Sequence, residues 1–188
     1  MLKPALPARR HAAGVSLIEV LVSVVILSFG LLGLANLQSK MHVAEVEAYQ
    51  RAQAVLALAD ISERISANRA QAANYVSTSL IGAGDSQPAD CNATTMGAAR
   101  DLCQWRNTLK GSAEGTTNAF GARGCITQVQ APVAAPPCKA GIYAVTVTWQ
   151  GMVKSATPSL ACASSQYGSD DGYRRAISAH VTVGVPAC

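Results

Sequence analysis

An unbroken apolar run at residues 15–35, VSLIEVLVSVVILSFGLLGLA, limits the folds open to this sequence before anything else does; Glu19 is its only charged side chain. A helix of that length rises about 30 Å, the thickness of a bilayer's hydrocarbon core, so the run is a candidate transmembrane span. Residues 1–14, MLKPALPARRHAAG, carry Lys3, Arg9 and Arg10 with no acid and no apolar core of their own. They do not make an ordinary secretory signal. Basic residues before the span and a long polar remainder after it place the leader in the cytoplasm and the rest outside.

A carboxylate five residues into such a span is costly, on the order of 2.5 kcal/mol or more at a helix centre and less near an end. A group of opposite charge is therefore expected to meet Glu19. Gly14 followed by Val15-Ser16-Leu17-Ile18-Glu19 resembles the cleavage and N-methylation motif of type IV prepilins. That resemblance implies a cut by a prepilin peptidase between Gly14 and Val15, methylation of the new Val15 amine, and pairing of Glu19 with the terminal amine of a neighbouring subunit. Two charges that are each costly in oil would then offset one another and set the axial register of assembly. Val15 stands where the family usually has Phe.

Charge adds an exclusion. The whole chain carries a formal +4, but the part after the leader holds twelve basic against eleven acidic residues. Such a balance leaves no electrostatic footprint for nucleic acid. The six cysteines, Cys91, Cys103, Cys125, Cys138, Cys162 and Cys188, all lie in the second half. An even number confined there suggests disulfides and an oxidising compartment such as a periplasm. Zinc ligands usually come in close C-x₂-C pairs, and none occurs. Six cysteines allow 15 pairings; the expected ones are Cys91 with Cys103, Cys125 with Cys138, and Cys162 with Cys188.

Helical periodicity continues past the span. Leu37, Met41, Ala44, Ala48, Ala52, Val55, Ala59 and Ile65 recur mostly at one-face spacings, with Glu45, Glu47, Gln50 and Arg51 off that stripe, and no proline follows the span before Pro88. One helix over residues 15–68, about 80 Å long, is expected, its second half packing on a globular head. Major pilins often carry a proline soon after the span, whereas Asn36 and Leu37 stand here, a departure that favours a minor subunit. Gly82, Gly84, Asp85, Pro88 and Asp90 mark a turn-rich break. A short amphipathic helix is predicted over residues 98–110, with Leu102, Trp105 and Leu109 on one face. Strands are predicted at 123–129, 142–150 and 175–185, the last two alternating apolar with more polar positions. Residues 155–172 read as a long loop. The expected class is α+β: a long N-terminal helical spine on an antiparallel sheet head with disulfides. Its parts are a leader at 1–14, a transmembrane half at 15–35, an amphipathic half at 36–75, and a periplasmic head at 76–188.

Several stretches are similar to the PilV group of minor pilins: Ser62-Glu63-Arg64-Ile65-Ser66-Ala67-Asn68-Arg69, Arg123-Gly124-Cys125-Ile126, Tyr143-Ala144-Val145-Thr146-Val147-Thr148-Trp149-Gln150-Gly151, and Tyr173-Arg174-Arg175. The resemblance implies a type IV pilus subunit anchored in the inner membrane, then carried into the pilus at the cell surface, priming assembly or capping the tip. Its partners would be other minor and major pilins, the prepilin peptidase, the inner-membrane assembly platform and the bilayer, and the pili could serve motility, adhesion or DNA uptake. Two alternatives are a pseudopilin of a type II secretion system and a tip adhesin or DNA-uptake subunit using the 155–172 loop. Trp149 and Tyr143 read as core, and Arg64 and Arg69 as solvated or in subunit contacts.

Catalysis is not expected. The histidines are His11 in the leader, His42 on the spine, and His180 on the more polar face of its strand. No G-x-S-x-G, Walker or H-E-x-x-H pattern occurs, and Asp170-Asp171-Gly172 reads as a turn rather than a calcium loop. Neither a cofactor nor a metal is called for.

Overall fold

The computed structural model describes residues 14–85, 90–111 and 121–185. Within it the chain divides into two compact units, Met1–Val43 and Ala44–Cys188. A single helix, α1 (Leu17–Ala67), supplies most of the first and opens the second. It starts where Ser16 carbonyl oxygen accepts the backbone N–H groups of Glu19 and Val20, at 3.0 and 3.3 Å. In the first unit the helix has no buried residue, and it is long and apolar enough to cross a membrane, with a mean hydropathy of 2.5 over its most apolar window. Ser23 and Ser28 donate their hydroxyls back to the carbonyls of Glu19 and Val24, both at 2.7 Å, so neither needs water in an apolar medium.

The second unit is α+β, with the type IV pilin-like arrangement of a long helix and an antiparallel sheet. After α1 come a 3₁₀ segment (Arg69–Tyr75), a two-residue strand β1 (Ile81–Gly82), helix α2 (Ala98–Lys110), and strands β2 (Arg123–Gln130), β3 (Gly141–Gln150) and β4 (Arg174–Val183). The sheet order is β1-β2-β3-β4, antiparallel throughout. Alternation in β3 sends Tyr143, Val145, Val147 and Trp149 inward. There they meet Ala54, Ala57, Ile61 and Ile65 of α1, Trp105 and Leu109 of α2, and Ile126 of β2 in one core. Small residues let these layers approach. A Cβ on Gly124 would lie 2.2 Å from the Trp105 ring, so glycine is what allows the indole to lie against β2. Trp105 also donates its Nε1–H to Ala57 carbonyl oxygen at 2.8 Å, satisfying its polar edge inside the core.

Three expectations need correction. The stripe of α1 that faces the head is Ala54, Ala57, Ile61 and Ile65, with Leu58 partly buried; Ala44, Ala48, Ala52, Val55 and Ala59 are on the exposed side, and only Ile65 belongs to both sets. Glu47 and Gln50, placed off the packing stripe by the sequence reading, are half-buried. The disulfides differ too. Cys91–Cys103 forms, but Cys125 is bridged to Cys162, which excludes both Cys125–Cys138 and Cys162–Cys188. Cys138 is disulfide-bonded as well, while Cys188 lies outside the described residues, as do 1–13 of the leader and Pro88. The sheet puts Cys125 opposite Thr146 on its outer face, where the 155–172 loop crosses and delivers Cys162.

Candidate assembly site

At the N-terminal end, Gly14, Val15 and Ser16 are exposed and non-helical, directly before the first helical turn at Leu17. A Cβ built on Gly14 would meet nothing within 4 Å. The Gly14–Val15 bond therefore lies in accessible, irregular chain. Glu19 sits in the first turn of α1 and is exposed, with the helix's free N–H groups nearby. A carboxylate is favoured at that end of a helix by its dipole. In oil the favourable term is small beside the cost of a lone charge, so the side chain still calls for a cation.

In the second unit, α1 is apolar on two sides. One side closes the core. The other presents Tyr49, Val55 and Leu56, which are 55%, 48% and 63% exposed, with Ala48, Ala52 and Ala59 between them. Large apolar side chains in a row on an open helix face cost water contact and gain nothing from the chain's own fold; such a surface suits a second helix. The alanines between them would let that helix come close.

The upper end of α1 is braced by polar contacts. Arg64 donates Nε–H to Asp60 at 2.8 Å and Nη1–H to Asp101 at 3.1 Å, and also bonds Gln104 at 2.5 Å. Burial works against its charge, but the two carboxylates more than offset that, and its pKa is raised. Tyr75 donates its hydroxyl to Asp101, and burial together with that bond pushes the phenol up to about 12. The sequence reading left Arg64 to solvent or neighbours; the structure instead ties it to α2. Arg69 is exposed.

The long loop between β3 and β4 is fixed by two adjacent arginines. Arg174 is 2% exposed and donates to the carbonyls of Leu160 at 2.5 Å, Pro158 at 3.0 Å and Cys162 at 3.1 Å, with Asp171 beside its Nε at 3.2 Å. Arg175 reaches Glu47 at 3.1 Å and Val153 carbonyl oxygen at 2.7 Å. The same Glu47 oxygen accepts the backbone N–H groups of Met152 and Val153, at 3.1 and 3.3 Å. Sequence reasoning missed this pair. Its partners lie 128 positions apart, and the only sequence signal was the Arg-Arg step entering a strand.

No group of three or more His, Cys, Asp or Glu side chains able to hold a metal occurs among the described residues. His180 is exposed on β4.

In comparisons with known proteins, residues 9–35 match the family model of the prokaryotic N-terminal methylation motif. That match supports a type IV pilin-like protein: a subunit processed as a prepilin, with an apolar N-terminal helix of the kind that anchors such proteins in the inner membrane. It also implies processing by a prepilin peptidase and a setting among other pilins. No curated protein and no solved structure matches the chain.

Proposed function

We propose that the chain is a minor subunit of a type IV pilus, of the PilV kind, that acts by assembly and has no catalytic step of its own. The observation that carries this reading is Glu19 in the first turn of an apolar helix, directly after an exposed Gly14–Val15 bond, within residues that match the methylation motif. The precursor enters the inner membrane with its head in the periplasm. Prepilin peptidase cuts after Gly14, and the Val15 amine is methylated. The processed subunit then leaves the bilayer for a complex that primes filament growth or caps its tip.

Energetics supports that sequence of events. A lone carboxylate in hydrocarbon and a lone terminal amine beside it are each unfavourable; joined across two subunits they offset each other, and only at one axial register. The second apolar side of α1, around Tyr49, Val55 and Leu56, gives a neighbouring helix a surface beyond the membrane span. The absence of a proline between the span and Pro88 supports a minor subunit over a major one, since α1 runs unbroken from Leu17 to Ala67. Partners on this reading are other pilins and the inner-membrane assembly platform.

Glu19→Ala tests it. The variant should be inserted and cut as the parent is, yet be missing from sheared filaments when probed by immunoblot. Incorporation equal to the parent's would remove the proposed register contact. A pseudopilin of a secretion system would share every N-terminal step, so the deciding readout is which deficit follows deletion of the chain: lost surface pili on the proposed reading, lost export of secreted enzymes on the other.

A further inference from the structure

The outer face of the sheet, turned away from α1, carries two cross-strand rows of mostly short side chains. Register places Cys125 opposite Thr146 and Thr146 opposite Ser178; the next row is Thr127, Ala144 and His180. Segments on either side rise above this floor and enclose a trough of about 520 Å³. That volume is in the ordinary range for small-molecule sites.

Both walls are held in place before any ligand arrives. One is residues 77–80, docked on β2 where Ser77 N–H donates to Ile126 carbonyl oxygen at 3.0 Å and Ile126 N–H to Ser77 Oγ at 3.2 Å. The other is residues 160–162, joined to the floor by the Cys125–Cys162 disulfide. The buried Arg174 guanidinium fixes the same wall through Leu160 and Cys162 carbonyl oxygens. Preorganisation of this kind lowers the entropy lost on binding.

The chemistry of the lining names the ligand. Among the described residues the trough is lined by no carboxylate, ammonium or guanidinium group, and His180 is the one titratable side chain. Charged ligands would lose their hydration there without finding a counter-charge. Hydroxyls of Ser77, Thr78 and Ser79 belong to one wall and that of Thr127 to the floor, and each can both donate and accept. Ala144 of the floor and Leu160, Ala161 and the disulfide of the other wall provide apolar ground. Ambivalent hydrogen-bonding groups on one wall and apolar ground on the other complement a sugar, whose ring carries hydroxyls on its edge and C–H groups on its faces. An extended peptide fits less well: the trough lies over a sheet face, so no strand edge is on offer to pair its backbone.

We propose that this trough is a binding site for an uncharged carbohydrate of about disaccharide size. The proposal stands apart from the filament reading, and the two can fail separately. Saturation-transfer NMR on the full processed chain, in lauryldimethylamine oxide micelles, would use maltose, lactose and cellobiose as probes and sialic acid as the charged control. The expected result is transfer to ring protons of at least one neutral disaccharide and none to sialic acid. Thr127→Trp and Ala144→Trp, which fill the floor from two strands, should abolish that transfer while leaving filament entry unchanged. Absence of transfer from all three disaccharides overturns the proposal. So does a signal that survives Thr127→Trp, whose exposed site tolerates the larger ring without unfolding. An uncharged tetrapeptide, acetyl-Gly-Ser-Thr-Gly-amide, giving the only Trp-sensitive signal would also overturn it, in favour of a peptide site.

Discussion

Replacing Arg174 by Met removes the guanidinium and keeps most of the apolar stem. The parent side chain is 2% exposed, bonds three carbonyls at 2.5, 3.0 and 3.1 Å, and lies 3.2 Å from the Asp171 carboxylate. Hydrogen bonds from a charged donor contribute roughly 1.5–3 kcal/mol each, so three would sum to roughly 4.5–9 kcal/mol if nothing relaxed. The loop can relax and readmit water to some of its carbonyls. Removing one member of a buried charge pair costs about 3–5 kcal/mol, and that is the net loss we expect. Total stabilities are only about 5–15 kcal/mol, so the midpoint of guanidinium unfolding should drop markedly, with a Tm lowered by about 6–20 °C. Trp105 and Trp149 are both buried in the head core, so their fluorescence follows the transition directly. Arg174→Lys keeps the charge but offers a point donor in place of a planar fork, and should recover only part of the loss. A stability for Arg174→Met within about 0.5 kcal/mol of the parent, the range of an ordinary surface change, would refute the claim that this arginine holds the loop.

Further outcomes concern the core and the titrating groups. Gly124→Ala would press a Cβ to within 2.2 Å of the Trp105 ring and should cost about 1–3 kcal/mol by overpacking, read from the same unfolding curves; a neutral result would mean the indole is not packed on β2. At Asp85, burial acts to raise the pKa, but Lys110, the Gly82 N–H and Arg106 outweigh it and hold the carboxyl below its usual range. Its contribution is then present above the ordinary aspartate pKa and lost as pH falls through the depressed one, so Asp85→Asn should flatten the acid limb of a stability–pH profile. Tyr75 behaves oppositely. With its phenol raised to about 12, the unfolded chain gives up the proton first as pH climbs past 10, and stability should fall between those values; Tyr75→Phe should lessen that fall. Opening Cys125–Cys162 by paired Ser substitutions frees a 37-residue separation, for which loop-closure entropy gives about 4 kcal/mol; an unchanged midpoint would argue that the loop is held without it.

Much of this architecture was legible in local pattern. The apolar run and the motif at Gly14 to Glu19 stand in consecutive residues, and α1 was expected at 15–68 and spans 17–67. The expected helix at 98–110 coincides with α2, and period-two alternation located β3 and β4 to within two residues at either end. Which side of α1 meets the sheet was not legible. Ala48, Ala52, Val55 and Ala59 fit helical spacing as well as Ala54, Ala57, Ile61 and Ile65 do, because the helix is apolar on both sides. Periodicity detects a stripe; only tertiary packing says what covers it. Two of the three expected disulfide pairings failed for a related reason, while Cys91–Cys103 forms as expected. Neighbours in sequence were paired, whereas the loop that carries Cys162 folds back over β2, led there by a buried arginine that no local pattern announces. Two-residue β1 is too short for any periodicity to register.

The most direct measurement is intact mass and N-terminal sequencing of the protein extracted from inner membranes and from sheared filaments. Both pools should begin at Val15 with a methylated amine, the leader through Gly14 gone. Mature molecules that still begin at Met1, or an unmodified start elsewhere in the span, would contradict the proposed processing and with it the role assigned to Glu19.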